Sequence, residues 1–413
     1  MHIVWVHRGM YPEHIGGTYT YIYELGRRLV ARGHRVDVIS RALSPENAGS
    51  SSIEGIGVHR YTYRRVNPIY STYQHLNRCY AIFLRLAAEH PVDVLGIHDT
   101  HLGLKLARSK EGRAVCQIPT YHAPSFLEYR FDMERQLTGE RNPLRRAIAK
   151  FFERSQRRFE SGVLAEAQGI LVLSEFTKAN IRTHFPHVDI DKVKIIPSGV
   201  ETDRFKPGGD KHALRLELGL DPDGLQLLTV RRLAPRMGLE NLLKALAIVR
   251  TTVARDGRAL RLVVCGGGPL LDDLSRLSED LGIGDSVRLL GRVVDEDLIK
   301  HYQAADLFVL PTAALEGFGI VTVEALSANL PVIGTPAGAT PEILGQLDER
   351  LLTRDTSAKA IADAISSWIK WRHEDQDPYR YREFAVANYA WENVADSVEQ
   401  YYSEQLDRFR TTA

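Results

Sequence analysis

Two glutamates in one short stretch, Glu316 and Glu324, combine residue type and spacing in a way that could support chemistry. Glu316 lies in the loop that leaves the predicted strand DLFVLP, just before a helix predicted to start near Ile320. At about 100° per residue, Glu324 shares its helix face with Ile320, Val321 and Ala328. Glu324 is therefore expected to point into an apolar stripe, where a carboxylate without a partner is expensive to bury.

A ligand with two neighbouring hydroxyls, such as a ribose diol, would satisfy Glu324 by donating two hydrogen bonds. Glu316 is expected where the free N–H groups of the helix start also point, beside Gly317 and Gly319, which bracket Phe318. Such a place suits a ligand with hydroxyls and negative charge, which describes a sugar diphosphate. The alternative is that Glu316 is an ordinary loop carboxylate and that Glu324 pairs with a buried basic side chain.

The elements that would position these residues alternate between short apolar strands and amphipathic helices. The first half starts with the strand HIVWVH, a glycine loop, the helix TYTYIYELGRRLVAR and the strand RVDVIS, and the runs VDVLGIH, AVCQIPTY and GILVLS extend the same sheet. The pattern restarts with the strands LQLLTV, LRLVVCG, VRLLG, DLFVLP and PVIGT. This alternation predicts an α/β fold with parallel sheets that carry helices on both faces.

The chain of 413 residues is too long for one ordinary core, so two domains are expected. The segment IPSGVETDRFKPGG is rich in Pro and Gly and lacks periodicity, which places the boundary there. The predicted domains are residues 1–198 and 199–390, and residues 391–413 form a last helix that could pack on either domain. Ligands of such sheets bind at the carboxyl ends of the strands, which predicts a crevice there.

Composition excludes several classes of protein. Hydrophobic content of 44%, charged content of 25% and a formal charge of +1 are those of a globular protein without a global attraction to nucleic acid. Cys79, Cys116 and Cys265 are far apart, which argues against a disulfide framework or a zinc site. The sequence shows neither a signal peptide nor a membrane span, so we expect a cytoplasmic protein. We also expect neither a metal ion nor a cofactor.

The stretch EGFGIVTVEAL has a further meaning, because it resembles the Glu-x₇-Glu motif of retaining, GT-B-fold glycosyltransferases of the family 4 type (glycosyl transferases group 1). Other segments match the same family in order: GGTYTYIYELGRRLVARGHRVDVIS, VLSEFTKANI, IPSGVETDRFKP, VCGGGPLLDDL and GTPAGATPEIL. The resemblance covers nearly the whole chain. It implies two facing Rossmann-like domains, the first for the acceptor and the second for a nucleotide-sugar donor, with a last helix that crosses back to the first domain.

The resemblance also implies roles for particular residues. Glu324 would hold the donor ribose and Glu316 would face the hydroxyls of the donor sugar. Arg232 would neutralise the diphosphate, and His122 in PTYHAPSF would lie beside the transferred sugar. The full set that would contact the nucleotide sugar is Gly16, Gly17, Gly317, Phe318, Gly319, Ile320 and Glu324. The two glycines of the first domain would let the backbone approach the phosphates, because no Cβ intervenes.

One position departs from the family. A lysine usually follows the position of Arg232 five residues later, as a second cation for the phosphates, but this sequence has Met237 there. Arg236 is adjacent, yet neighbouring side chains point in different directions. The usual phosphate clamp is therefore in doubt, whereas the fold is not.

The resemblance implies transfer with retention of the anomeric configuration, by front-face attack in which the departing phosphate takes the proton of the acceptor. The absence of a DxD-type acidic pair after a strand favours a metal-independent reaction. Two alternatives stay open. A nucleotide-sugar 2-epimerase would need no acceptor, and a non-catalytic homologue would bind nucleotide or sugar without turnover.

The acceptor is an unknown hydroxyl compound, either a small molecule, a glycan or a lipid-linked molecule. The segment YTYRRVNPIYSTYQHLNRCY could stack against a sugar ring or could serve only packing. A basic helix over residues 143–160 could lie on an anionic membrane and deliver a lipid-linked acceptor. Its apolar side chains could instead be core packing beneath a solvated basic face, and this packing interpretation is favoured; those side chains are Ile148, Phe151, Phe152 and Phe159.

Overall fold

The structure, a computed structural model, describes residues 1–64, 66–136, 142–253, 259–373, 377 and 379–412. The chain divides into two compact units, Met1–Ser198 together with Trp391–Ala413, and Gly199–Ala390. Each unit is built from parallel strands and helices, and each is described by itself below.

The described residues of the first unit form two sheets. The first sheet has the strand order β3-β4-β2-β1-β5-β6, in which only the β3–β4 pair is antiparallel. The second, with the order β7-β8-β9, is parallel throughout. The strands are β1 (His2–Val6), β2 (Arg35–Arg41), β3 (Gly49–Ile53), β4 (Ile56–Tyr61), β5 (Val94–Ile97), β6 (Cys116–Gln117), β7 (Thr120–Tyr121), β8 (Ile170–Val172) and β9 (Val193–Ile195).

Helices cover these sheets, and β1 in the middle of the first sheet is buried along its whole length. The sequence HIVWV suits that place, because a strand covered on both faces needs a continuous apolar run and not an alternating one. The helices of this part of the chain are α1 (Gly17–Ala31), α2 (Pro68–Glu89), α3 (Thr100–Arg108), α4 (Lys110–Arg113), α5 (Ser125–Gln136), α6 (Pro143–Glu166) and α7 (Glu175–His184).

The expectation that AVCQIPTY and GILVLS extend one sheet is wrong. The chain leaves the first sheet after Ile118, whose N–H donates to Leu95 at 2.9 Å. Pro119 follows and has no N–H with which to continue that pairing, so the ladder to β5 ends there. The carbonyl of Pro119 instead accepts from the N–H of Leu171, at 2.9 Å, in the second sheet.

The second unit has one parallel sheet with the order β12-β11-β10-β13-β14. Its strands are β10 (Leu225–Val230), β11 (Leu260–Cys265), β12 (Val287–Gly291), β13 (Leu307–Leu310) and β14 (Val332–Gly334). Its helices are α8 (Lys211–Glu217), α9 (Leu239–Val253), α10 (Leu271–Asp280), α11 (Asp295–Ala304), α12 (Ile320–Ser327), α13 (Thr340–Leu347), α14 (Ala358–Trp371) and α15 (Arg380–Tyr389).

The strand order reverses between β10 and β13. The chain builds the sheet outward from β10 in one direction and then returns to place β13 on the other side of β10. The loops that follow two such strands leave the sheet in opposite directions and open a crevice at their carboxyl ends. The loops after β10 and β13 therefore frame the natural ligand position of this unit.

The last helix, α16 (Trp391–Thr412), belongs to the first unit. Its buried face includes Trp391 and Tyr402, and the hydroxyl of Tyr402 accepts a hydrogen bond from the indole N–H of Trp5 at 3.3 Å. At the start of the helix, Glu392 accepts from the guanidinium of Arg28 at 2.8 Å. Buried aromatic packing and this ion pair hold α16 against β1 and α1.

Candidate functional site

The reversal of strand order in the second unit brings two chemically active loops together. Arg231 directly follows β10, and Glu316 lies in the loop that follows β13. The two residues are 85 positions apart in sequence, yet Nη2 of Arg231 donates to Oε2 of Glu316 at 2.6 Å. The side chains are nearly buried, with 5% and 13% of their surface exposed.

Thr312 completes the contact around Glu316. Its hydroxyl accepts from Nη1 of Arg231 at 2.6 Å and donates to Oε2 of Glu316 at 2.9 Å. Burial alone would raise the pKa of Glu316, but the charge of Arg231 and the hydrogen bonds from Arg231 and Thr312 hold it below its ordinary value. Glu316 is therefore a carboxylate at neutral pH.

Glu324 lies on α12 and has the opposite electrostatic behaviour. Burial raises its pKa to about 7, although a hydrogen bond from the hydroxyl of Tyr302, at 2.8 Å, partly offsets that rise. The sequence predicted either a ligand or a basic side chain as the partner of Glu324. The partner is the phenol of Tyr302 on α11, which occupies Oε2, and no described residue donates to Oε1.

The start of α12 lies between these two carboxylates. Gly319 caps the helix with φ of 90°, a left-handed conformation that costs a residue with a Cβ more than it costs glycine. Within the described part of the chain, the N–H groups of Phe318, Gly319 and Ile320 donate to no acceptor. The side chain of Phe318 is buried against Tyr389, so only its backbone is available to a ligand.

The two arginines after β10 have different environments. Arg232 is exposed and forms no ion pair with any residue that the structure describes, so its charge is available to a ligand. Arg236 donates to the carbonyl of Leu315 at 3.3 Å. Met237, which stands at the position of the expected lysine, is buried, with its sulfur 2.9 Å from Nη2 of Arg231.

Sequence reasoning missed Arg231. It assigned the cation to Arg232 and gave Arg231 no role. Side chains alternate along a strand, so the adjacent Arg231 and Arg232 are expected to point to opposite faces. That alternation was the available signal that one of the two arginines points inward.

His122 follows β7 in the first unit. Its Nε2 lies 3.1 Å from Nδ1 of His98, and the two rings stack with centroids 5.3 Å apart. Burial, with a smaller effect of nearby His7, lowers the pKa of His122 to about 3. The imidazole is therefore neutral at physiological pH and can exchange hydrogen bonds with hydroxyls, but it does not act as a cation.

Gly16 and Gly17 are exposed at the start of α1. Gly16 caps that helix with φ of 146°, a conformation open almost only to glycine. A Cβ at Gly16 would contact the ring of Tyr19 at 3.4 Å. The predicted glycine loop is thus a real helix start with exposed backbone.

A polar cavity of about 660 Å³ lies in the first unit, at the carboxyl ends of its strands. Arg8 pairs there with buried Asp99 at 2.7 Å, and Nε of Arg41 donates to the carbonyl of Arg8 at 3.3 Å. Two further lining atoms are buried without a described partner, Nδ1 of His75 and Oδ1 of Asp132. Unpartnered polar atoms on a cavity wall are the groups that a polar ligand would satisfy.

The packing interpretation of the basic helix is wrong for its first turns. Ile148 is 46% exposed and Phe151 is 60% exposed on α6, whereas Phe152 and Phe159 are partly buried. The first turns of α2 are equally apolar at the surface. The exposed apolar side chains of the two helices, called the α2–α6 surface below, are Ile69, Tyr70, Tyr73, Leu144, Ile148 and Phe151.

Two family models match the chain in sequence. One, Glycosyltransferase Family 4, matches residues 15–204, and the other, Glycosyl transferases group 1, matches residues 210–385. The chain is 32% identical over 237 residues to a GDP-mannose-dependent alpha-(1-6)-phosphatidylinositol monomannoside mannosyltransferase of Mycobacterium tuberculosis, a match over 55% of this chain and 59% of that protein. It is 28% identical to a D-inositol 3-phosphate glycosyltransferase of Stackebrandtia nassauensis, over 95% of this chain and 88% of that one.

Solved structures share the fold. Sucrose-phosphate synthase of Thermosynechococcus elongatus superposes with a TM-score of 0.78 at 22% identity, covering 98% of this chain and 99% of that one. The Anabaena protein HepE, solved with UDP and glucose, gives a TM-score of 0.76 at 17% identity, covering 98% and 100%. These likenesses confirm the expected GT-B fold.

The raised pKa of Glu324 predicts a measurable pH dependence of stability. The folded chain binds more protons than the unfolded chain between the ordinary pKa of 4.5 and about 7, so the free energy of unfolding falls as pH rises through that window. Glu324→Gln stays neutral and removes this loss. The free energy of unfolding of this variant, relative to that of the unmodified chain, should rise by about 2 kcal/mol from about pH 5 to about pH 8. Urea unfolding at each pH measures this difference.

The control is Glu349→Gln, because Glu349 is exposed in the same unit. Its unfolding free energy should follow that of the unmodified chain at every pH. A constant difference between Glu324→Gln and the unmodified chain across this range would contradict a raised pKa of Glu324.

Proposed function

We propose that this chain, which belongs to the glycosyltransferases of group 1 and family 4, transfers a sugar from a nucleotide-diphosphate sugar to a hydroxyl acceptor without a metal ion. The observation that carries the proposal is the start of α12, where ionised Glu316 precedes three N–H groups that donate to no described acceptor and Glu324 follows on the helix itself. The match spans only 59% of the length of the mannosyltransferase, so donor and acceptor are argued from the site.

The donor would use each of these groups differently. Oε1 of Glu324 accepts hydrogen bonds from the ribose hydroxyls, and ionised Glu316 accepts one from a hydroxyl of the sugar. The N–H groups at the start of α12, together with the exposed guanidinium of Arg232, face the diphosphate. These positive groups stabilise the charge that develops on the diphosphate as the sugar leaves, which is the main catalytic task.

The reaction proceeds with retention of anomeric configuration. The bond between the anomeric carbon and the phosphate oxygen breaks, and the acceptor oxygen bonds to the same face of that carbon. The acceptor proton passes to the departing phosphate oxygen, so the products are the glycoside and a nucleoside diphosphate. Neutral His122 of the first unit is the histidine that we assign to a hydrogen bond with a sugar hydroxyl.

The acceptor would bind in the polar cavity of the first unit. This cavity offers Arg8 and Arg41 as cations and the unpartnered atoms of His75 and Asp132 as hydrogen-bonding groups. Two relatives are named for inositol-containing acceptors, D-inositol 3-phosphate and phosphatidylinositol monomannoside. These two compounds are therefore the first acceptors to assay.

The α2–α6 surface would rest on an anionic membrane from the cytoplasmic side. Arg146, Lys150, Arg154 and Arg158 are exposed along α6, and none of the four pairs with an acidic residue that the structure describes. Exposed apolar side chains beside unpaired cations are the composition of an interfacial helix. No helix within the described ranges has both the length and the apolar character needed to cross a bilayer. A cytoplasmic location agrees with three cysteines that are all buried and unbridged.

Binding of the free nucleotide tests the donor site. We expect one of UDP, GDP, ADP, TDP and CDP to stabilise the protein in a thermal-shift experiment. Glu324→Ala should weaken that binding by about ten-fold to a hundred-fold, because hydrogen bonds to a charged group contribute about 1.5–3 kcal/mol. Glu279→Ala, which changes an exposed carboxylate of the same unit, should bind like the unmodified protein.

Failure of all five diphosphates to bind would overturn the proposed function. Nucleotide binding without turnover for any acceptor would favour a non-catalytic homologue. Conversion of the donor alone, without acceptor, would favour a 2-epimerase.

The configuration of the product tests the mechanism. With the selected donor and an accepted acceptor, proton NMR of the first-formed glycoside should show the anomeric configuration of the donor. Chelation of divalent cations with EDTA should leave the initial rate unchanged. An inverted product would refute front-face attack, and loss of the rate on chelation would refute metal independence.

Vesicle flotation tests the membrane contact. The protein should float with vesicles that contain phosphatidylglycerol and should remain unbound with pure phosphatidylcholine. Replacement of Arg146, Lys150 and Arg154 by Ser should weaken binding about a hundred-fold, since each basic side chain near an anionic surface contributes about 1 kcal/mol. Ile148→Ser with Phe151→Ser should weaken it as well, because the apolar anchor is removed.

The matched control removes the same charge elsewhere. Lys244, Arg354 and Lys359 are exposed in the second unit, and their replacement by Ser should leave flotation unchanged. Equal losses in both triple variants would indicate a nonspecific charge effect and would contradict a defined membrane surface.

A further inference from the structure

The guanidinium of Arg231 is the feature of the site that the proposed function does not yet use. It lies beneath the loop after β13 and contacts three side chains, those of Thr312, Glu316 and Met237. Its own side chain is only 5% exposed. A buried cation of this kind is tolerated only because a carboxylate neutralises it at hydrogen-bond distance.

The ion pair of Arg231 and Glu316 is not well suited to stabilising the fold alone. Nε of Arg231 is buried and finds no acceptor among the described residues, so one donor of the guanidinium is left unsatisfied. Buried ion pairs are often no more stabilising than apolar side chains of the same volume, and an unpaired donor adds a further cost. Such an arrangement points to a role in holding a reactive group.

The group that Arg231 holds is one oxygen of Glu316. Oε2 receives hydrogen bonds from both Arg231 and Thr312, which fixes the rotation of the carboxylate. In the described part of the chain nothing donates to Oε1. The carboxylate therefore keeps one oxygen for a ligand while the other anchors it.

Met237 makes this arrangement sterically and electrostatically tolerable. Its sulfur lies 2.9 Å from Nη2 of Arg231, and that nitrogen separates the sulfur from the carboxylate of Glu316. A lysine at position 237 would place a second cation against the guanidinium. The same lysine would reach Glu316 if Arg231 were absent, because its chain extends two atoms beyond the position of the sulfur. Positive side chains at positions 231 and 237 would therefore repel each other, so only one of the two positions is expected to carry a cation.

We propose that Arg231 is the positioning residue that orients Glu316 toward the donor sugar, and that Arg231 and Met237 together replace a cation at position 237. Arg231, directly after β10, supplies the positive charge of the site, and the thioether of Met237 fills the space that a lysine would occupy. This inference rests on the proposed function, because it assigns Glu316 to the donor sugar. It explains the departure at Met237 as an exchange of charge between two positions.

The test is a reciprocal exchange of the two side chains. Three variants are needed: Arg231→Met, Met237→Lys, and the double variant that carries both changes. The readouts are kcat and KM for the donor that the nucleoside diphosphate screen selects, affinity for the matching nucleoside diphosphate, and Tm. Arg231→Lys serves as the conservative variant, since it keeps the charge but loses the fork of donors.

Arg231→Met should lower kcat about a hundred-fold, the usual effect of losing a preorganised polar group, while affinity for the nucleoside diphosphate changes less than about three-fold. The acidic limb of its pH–rate profile should move to higher pH, because Glu316 stays buried but loses its counter-ion. Met237→Lys alone should lower both kcat and Tm by crowding two cations. The double variant should have a kcat at least about ten-fold above that of Arg231→Met. The kcat of Arg231→Lys should lie between those of Arg231→Met and the double variant.

Several results would overturn the inference. A double variant no more active than Arg231→Met would refute the exchange of charge. An equal loss of nucleoside diphosphate affinity and of kcat in Arg231→Met would identify Arg231 as a phosphate contact and not as a positioning residue. An unchanged pH–rate profile would show that Arg231 does not govern Glu316.

The Tm measurements separate this inference from the proposed function. Arg231→Met should lower Tm by leaving Glu316 charged without a partner, and both Met237→Lys and Glu316→Gln should restore Tm when added to it. If the unmodified protein binds no nucleoside diphosphate, the proposed function fails even when this pattern of Tm values is found. If binding and turnover are normal but neither second change restores Tm, the inference alone fails.

Discussion

The organisation of the second unit depends on keeping a charged carboxylate in a nearly buried loop. Water would stabilise Glu316 far better than a protein interior does, so the fold must supply compensating charge and hydrogen bonds. It does so with the guanidinium of Arg231 and the hydroxyl of Thr312, at 2.6 Å and 2.9 Å from one oxygen. The reversal of strand order between β10 and β13 makes this contact geometrically available.

The second carboxylate of the site is treated in the opposite way. Glu324 has a neutral phenol as its partner, and burial raises its pKa to about 7. Two carboxylates, one in the loop before α12 and one on α12 itself, therefore differ in charge near neutral pH because one pairs with a cation and the other with a neutral phenol. Between them in sequence, the N–H groups at the start of α12 that donate to no described acceptor supply positive character without any side chain. The site thus combines a fixed negative group, a titrating group and a preorganised place for an anion.

In the first unit, burial likewise sets the charge of two histidines. The ring nitrogens of His122 and His98 lie 3.1 Å apart, with His98 buried and His122 partly buried, so two positive rings at that distance would be unfavourable in free energy. Burial keeps both neutral and converts them into hydrogen-bonding groups. In contrast, the α2–α6 surface leaves apolar side chains in water, a cost that a monomeric globular fold normally avoids. The proposed contact with a membrane gives that exposure a physical reason.

The sequence by itself determined the local features of this protein. The periodicity of apolar residues predicted the alternation of strands and helices, the loop position of Glu316 and the helical position of Glu324, because burial repeats with the geometry of each element. The glycines before α1 and α12 could also be predicted from the sequence, because a helix start with an unusual φ favours glycine. Motifs in order identified the family.

Only the tertiary structure decided which arginine faces Glu316, which carboxylate is charged, where the chain changes sheets and which side of α6 meets water. Each of these depends on a partner distant in sequence, such as the 85 residues between Arg231 and Glu316. Arg231 and Arg232 are identical in type and adjacent in position, so composition and spacing cannot distinguish them. Electrostatic free energy is set by distance and burial in space, and the fold alone fixes both.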